Sequence, residues 1–327
     1  MMGYNLHHPW RPGGAIGSLS RPTVDRKIFL VDGFAWRYCG VTGFQLMDLF
    51  SQGKDVDPFL DLYVGLGYNT FRVMANKPEV PGQYPGWNTP PLQTMLDFTH
   101  HSASRGARIE HTLFGSQVDS SFVPSWIEAL KSECPNAFAE GINEPGHAGQ
   151  WPDTSHVDSL VMPVRGDLPY ATGDYTYDTS KPHGSYGTIH TDRDDPCNTA
   201  RKAKGVLDMQ DIAKIPWVGD EPAKPQDISY RADCFLALFA IYGLFGAGGT
   251  FHTLGGQFGQ LPNDQELACA KAAIQGLTAF PASTPNDYGY VHDTNDEATS
   301  GSLRTYRAGP YGVRVCPNPG YPILIGV

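Results

Sequence analysis

The chain is short of positive charge, with 24 Lys and Arg against 34 Asp and Glu for a formal net charge of −10. Without a positive field to gather phosphates, nucleic acid is a poor partner, and a neutral or basic substrate fits better. Long apolar runs are missing too. The longest, residues 234–245, spans about 12 residues, short of the roughly 20 that cross a bilayer. Closed by Gly246, Gly248 and Gly249, it reads as a buried helix, so no membrane span is expected. Residues 1–11 hold two His, an Arg and a Pro but no apolar core of a secretory signal; an extracellular location is favoured if such a leader has been removed. The six cysteines (Cys39, Cys134, Cys197, Cys234, Cys269 and Cys316) lie far apart with no C-x-x-C pair. That spacing argues against a zinc ribbon, a thioredoxin motif and a dense disulfide scaffold. Internal repeats and low-complexity tracts are likewise absent.

What is present is a globular composition: 40% hydrophobic residues, 18% charged, 16 Phe and 16 Tyr, too apolar for a disordered chain. A length of 327 residues allows two domains or one α/β barrel. Apolar or β-branched runs closed by Gly, Asn, Asp or Pro predict strands at 34–42, 69–74, 107–114, 137–142, 168–172, 186–191, 217–219 and 248–253. Helical patterns such as 57–66 and 91–105 separate most of them, and starts about 25 to 40 residues apart fit one strand, one helix and two loops. The expectation is an α/β fold, a (β/α)8 TIM barrel over residues 34–280, preceded by an extension and hairpin in residues 1–33. A last helix at 264–279 leads to runs at 288–292, 302–307, 312–316 and 323–327, which predict a small β-rich appendage over 281–327, packed on the barrel because it is too short to fold alone.

In such a barrel the chemistry collects at the C-terminal ends of the strands. There the sequence places Arg72, His111, Asn143-Glu144-Pro145, His190, Asp220-Glu221-Pro222 and His252. Two carboxylates facing each other across the mouth, Glu144 after the fourth strand and Glu221 after the seventh, are the minimum equipment for glycoside hydrolysis. Each is followed by Pro, which ends a ladder. Neighbouring residues on a strand point to opposite faces, so adjacent residues such as Asn143 and Glu144 serve one site only where the chain bends.

These residues resemble glycoside hydrolase clan A, the retaining (β/α)8 enzymes, and are nearest in pattern to family 5. The resemblance covers about residues 25 to 260 and rests on short motifs. It implies Glu144 as acid/base, Glu221 as nucleophile, Asn143 as partner of the sugar 2-hydroxyl, Arg72 as brace of the nucleophile, and His111 and His190 as subsite histidines. It also implies a polysaccharide or oligosaccharide substrate, β-glucan or β-mannan in type, cut internally without a cofactor. The pattern departs from family 5 at two places. His190-Thr191-Asp192 stands where a His-x-Tyr is usual, leaving Tyr186 or Tyr230 to orient the nucleophile, and Phe251-His252 replaces a strand-eight Trp. Those departures keep open a barrel that binds carbohydrate without cleaving it, and nothing in the sequence separates a hydrolase from a transglycosylase. The histidines allow a metal-dependent hydrolase as a rival, but no His-x-His ends strand one and no metal is expected. Trp36, Trp87 and Trp151 are the candidate platforms for sugar rings.

Overall fold

A computed structural model describes residues 19–79, 85–114, 120–143, 154–173, 184–190, 213–221, 224–282, 291–292, 304–308, 311–315 and 324–326. Eight parallel strands make the barrel: β4 (Cys39–Thr42), β5 (Thr70–Met74), β6 (Arg108–Phe114), β7 (Ala137–Ile142), β8 (Tyr170–Ala171), β9 (Gly187–His190), β10 (Trp217–Asp220) and β11 (Gly248–Phe251). Their order in the sheet is β8-β7-β6-β5-β4-β11-β10-β9. Between β8 and β9 the Ser185 N–H bonds the Tyr170 carbonyl at 2.8 Å, which leaves the barrel nearly closed. The described helices around it are α1 (Leu46–Ser51), α2 (Asp57–Leu66), α3 (Leu92–Ser104), α4 (Val123–Glu133), α5 (Thr154–Val161), α6 (Ala232–Leu244) and α7 (Asp264–Leu277). Among the described residues no helix is long and apolar enough to cross a membrane.

The run expected as a single strand over 34–42 is divided. Residues 34–36 form β3 (Phe34–Trp36), which pairs antiparallel with β2 (Ile28–Val31), itself paired with β1 (Thr23–Asp25), while the barrel strand starts only at Cys39. The break falls at Arg37, whose guanidinium is drawn away to the carbonyls of Leu277 (2.7 Å), the last residue of α7, and Pro281 (2.8 Å), just beyond it. At the hairpin between β2 and β3, Asp32 and Gly33 both have positive φ, 53° and 78°, as a two-residue type I′ turn requires.

This meander seals the N-terminal end of the barrel. Phe29 lies 5.5–6.2 Å, ring to ring, from Tyr38, Phe138 and Tyr186, each at or just before the start of a barrel strand. Helix α6 is buried on nearly every face because its run Cys234–Leu244 is almost wholly apolar. It packs on α7 and on β14 (Tyr311–Val315), whose Val313 is fully buried in the main core. β14 belongs to a four-stranded antiparallel sheet, in the order β12 (Val291–His292), β13 (Arg304–Ala308), β14, β15 (Leu324–Gly326). Cys39, Cys134, Cys234 and Cys269 are buried free thiols.

Candidate active site

Side chains alternate across a strand, and in a barrel one parity points to the axis. Here that parity is unusually polar. The register sets Arg72 of β5 beside Glu110 of β6, and Thr112 of β6 beside Glu140 of β7. All four are buried on the axis, together with Thr188 of β9, Asp220 of β10 and Thr250 of β11. A single cation organises them. Arg72 Nε and Nη2 donate to Glu140 Oε2 at 2.8 and 2.6 Å, Nη1 donates to Glu221 Oε1 at 2.9 Å, and Nη2 also reaches Asn143 Oδ1 at 3.0 Å. Asp220 Oδ2 is 3.1 Å from Nε. Burial by itself would lower the Arg72 pKa, but Asp220, Glu140, Glu221 and Glu110 outweigh it and hold the guanidinium charged, well above its usual value.

Glu140 is saturated as an acceptor: besides Arg72 it takes hydrogen bonds from Thr112 Oγ1 (2.7 Å) and Thr188 Oγ1 (2.8 Å). Beneath it Glu110 accepts from the hydroxyls of Tyr38 and Tyr186. Burial, then the neighbouring Glu140, push the Glu110 carboxyl up to about 7 against the pull of Arg72 and the two hydroxyls. Tyr186 therefore serves Glu110 rather than the nucleophile position, and Tyr230 packs half-buried against the main core.

Glu221 follows β10 directly and has φ 44°, a left-handed conformation that is uncommon for a residue with a Cβ. The kink lets two adjacent acids share one site: Asp220 faces the axis, receiving Thr250 Oγ1 at 2.6 Å, and Glu221 still reaches Arg72. Its other oxygen, Oε2, lies 3.4 Å from Nε2 of His252, which follows β11. The Glu221 side chain is 5% exposed, at the C-terminal end of the strands.

Arg72, Asn143, Glu221 and His252 are thus gathered as expected. Trp87 is near them but is a wall, 6% exposed, packed with Phe44 and Met74, its Nε1 donating to the Met74 carbonyl at 3.1 Å. Two expectations are corrected. His111 has the wrong parity: Glu110 and Thr112 face the axis, so His111 points outward between the barrel and its helices, with Nε2 3.0 Å from Thr99 Oγ1 on α3 and its ring against Trp126 of α4. Trp36 sits at the sealed N-terminal end, stacked on Phe138 at 6.0 Å with the Arg108 guanidinium 4.8 Å over its ring. Glu144, Trp151 and the side chain of His190 lie outside the described residues. The residues that sequence reasoning missed are Glu110 and Glu140. The signal was available: they share the parity of Arg72 and Thr112 on neighbouring strands.

No protein-family model and no curated protein sequence matches the chain. Solved structures do. An endo-1,4-β-mannanase from Rhizomucor miehei aligns with a TM-score of 0.54 at 11% identity, over 79% of this chain and 99% of its own. A family 5 glycoside hydrolase from Bacteroides vulgatus aligns at 0.59 and 13%, over 90% and 80%. A putative glycoside hydrolase from the same organism aligns at 0.59 and 14%, over 93% and 68%. At such identities the likeness is one of fold, and the chain is a (β/α)8 barrel of the kind on which glycoside hydrolases, family 5 among them, are built.

Proposed function

We propose that the chain is a retaining glycoside hydrolase, endo-acting on a β-linked polysaccharide of the glucan or mannan type. One observation carries the reading: a single guanidinium, that of Arg72, touches both Glu221 at the end of β10 and Asn143 at the end of β7. Glu144 is the next residue after Asn143 in the sequence, which is the basis for pairing it with Glu221. Protonated Glu144 gives its proton to the glycosidic oxygen while Glu221 attacks the anomeric carbon. Glu144 then deprotonates the water that releases the glycosyl-enzyme. Arg72 keeps Glu221 ionised, and the negative charge of Glu221 raises the pKa of Glu144 until the covalent bond discharges it. The separation expected of the two carboxyls is that of retaining enzymes, about 5–5.5 Å.

The test is reducing-end release from β-mannan, β-glucans, xylan and chitosan by wild type, Glu221→Ala and Glu144→Ala. The mannanase among the structural neighbours places mannan first in the panel. Wild type should cut one polymer, and each variant should lose about 10²-fold or more. Proton NMR of the first product should show the anomer retained. An inverted product, or undiminished activity in either variant, would overturn the mechanism.

A further inference from the structure

The Glu221 carboxylate has a neighbour on each side: Arg72 hydrogen-bonds Oε1, and His252 lies 3.4 Å from Oε2. The His252 imidazole has no exposed surface. Every edge of it is in use. Nδ1 is 2.9 Å from Thr42 Oγ1 at the end of β4, one face lies 5.9 Å from the Phe44 ring, and Nε2 is 3.0 Å from Gln257 Nε2 and 3.4 Å from Glu221 Oε2. Gln257 is itself buried and tied down, its N–H bonding the Thr253 carbonyl (3.2 Å) and its carbonyl accepting from the Gln45 N–H (2.9 Å). A ring enclosed in this way has no face to offer a sugar.

We propose that His252 is a positioning residue for Glu221, directing its Nε2–H at Oε2 while Arg72 holds Oε1; the proposal rests on Glu221 being the nucleophile. The tautomer follows from the partners. The Gln257 amide nitrogen is placed against Nε2, but amide O and N are interchangeable by a half-turn. With the Thr42 hydroxyl donating to Nδ1 and the Gln257 amide turned by that half-turn to present its oxygen, the ring proton sits on Nε2 and is shared between Gln257 and Glu221. Among the described residues, the charged groups around this corner are Arg72 on β5, Asp220 and Glu221 at the end of β10, and Lys77, whose Nζ is 5.4 Å from the Phe44 ring centroid. His252 and Arg72 together fix the plane of the carboxylate and favour its ionised form. The grip comes from the eighth strand, where the sequence departs from the family 5 pattern.

The test sets a positioning role against a sugar contact. On the polymer that wild type cuts, His252→Ala should lower kcat by about 10²-fold and leave KM within about twofold. The acid limb of the kcat/KM profile should move up by about one pH unit, since Glu221 loses a donor. His252→Gln, which can still offer an N–H, should recover part of kcat. A raised KM with kcat and the acid limb unchanged would overturn the proposal in favour of a sugar contact. A second measurement needs no turnover: ¹⁵N NMR titration of the His252 ring in wild type and Glu221→Gln. Neutralising Glu221 should lower the imidazole pKa by about one unit, and an identical titration in both proteins would refute the pairing. If the NMR coupling is seen while no polymer is cut, the pairing stands and the hydrolase reading falls.

Discussion

Glu110 and His111 are neighbours in sequence with opposite fates, and their titrations pull stability in opposite directions. Glu110 faces the acidic axis, and its folded carboxyl sits at about 7 against 4.5 when exposed. The folded state therefore binds the extra proton, and this contribution is complete below about pH 4.5 and lost as pH rises through 7. His111 is walled in by Thr99 and Trp126, and burial lowers it from 6.5 to about 3. Here the unfolded chain binds the extra proton, so stability is lost as pH falls from 6.5 towards 3. Between about pH 4.5 and 6.5 the two slopes, each about 1.4 kcal/mol per pH unit, cancel. Glu110→Gln should expose the histidine slope, making the variant gain stability from pH 5 to pH 7 relative to wild type by an amount on the order of 1–3 kcal/mol. His111→Gln should show the reverse. Urea midpoints at the two pH values measure both, and a wild-type pH slope in each variant would mean that neither group titrates in this window. This residue pair also marks where the sequence was misread. A histidine after a strand run draws attention by its chemistry, but the parity set by Arg72 assigns the axis to the glutamate.

Elements were far more legible than side-chain directions. The eight barrel strands fall where apolar runs closed by turn residues place them, α2 lies at 57–66 as its periodicity predicts, and the run 234–245 is the buried α6. These signals are local, set by patterns within a few residues. The exception is the break at Arg37, caused by carbonyls some 240 positions away in sequence, which no local pattern encodes. The contact of α6 with α7 is similarly non-local. A Cβ on Gly276 would lie 2.4 Å from the Leu236 carbonyl oxygen and 2.8 Å from the Ala240 nitrogen, both backbone atoms of α6. Glycine there permits a backbone approach that rigid neighbours cannot relax. Gly276→Ala should therefore destabilise by about 1–3 kcal/mol through overpacking, despite the better helix propensity of alanine. Urea unfolding would show it as a lower midpoint at unchanged slope, and a stabilised variant would mean that the helices stand further apart.

At the scale of the whole molecule the barrel has two unlike ends. Its mouth gathers Arg72, Asn143, Glu221 and His252, and its base is plugged by Phe29, Tyr38, Phe138 and Tyr186 under the N-terminal meander. The division explains how a polar axis is tolerated: the aromatic plug closes the base, so the buried charges meet one another and Arg72 instead of water. It also separates aromatic residues that composition alone cannot sort. Trp36 belongs to the base, where it stacks on Phe138 and carries Arg108 over its ring. Trp36→Ala should then act as a packing mutation far from the substrate. The loss of a large, partly buried aromatic and of a cation–π contact should cost about 1–3 kcal/mol of stability. KM and kcat for the polymer cut by wild type should stay within about twofold, because no atom between Trp36 and the mouth is freed to move except through the close-packed interior. Unfolding midpoints and initial rates on the same preparation decide the matter. A KM raised severalfold with an unchanged midpoint would return Trp36 to the sugar-binding surface and would mean that substrate reaches the meander, whereas a lowered midpoint with unchanged kinetics assigns the tryptophan to the seal that lets the acidic axis exist.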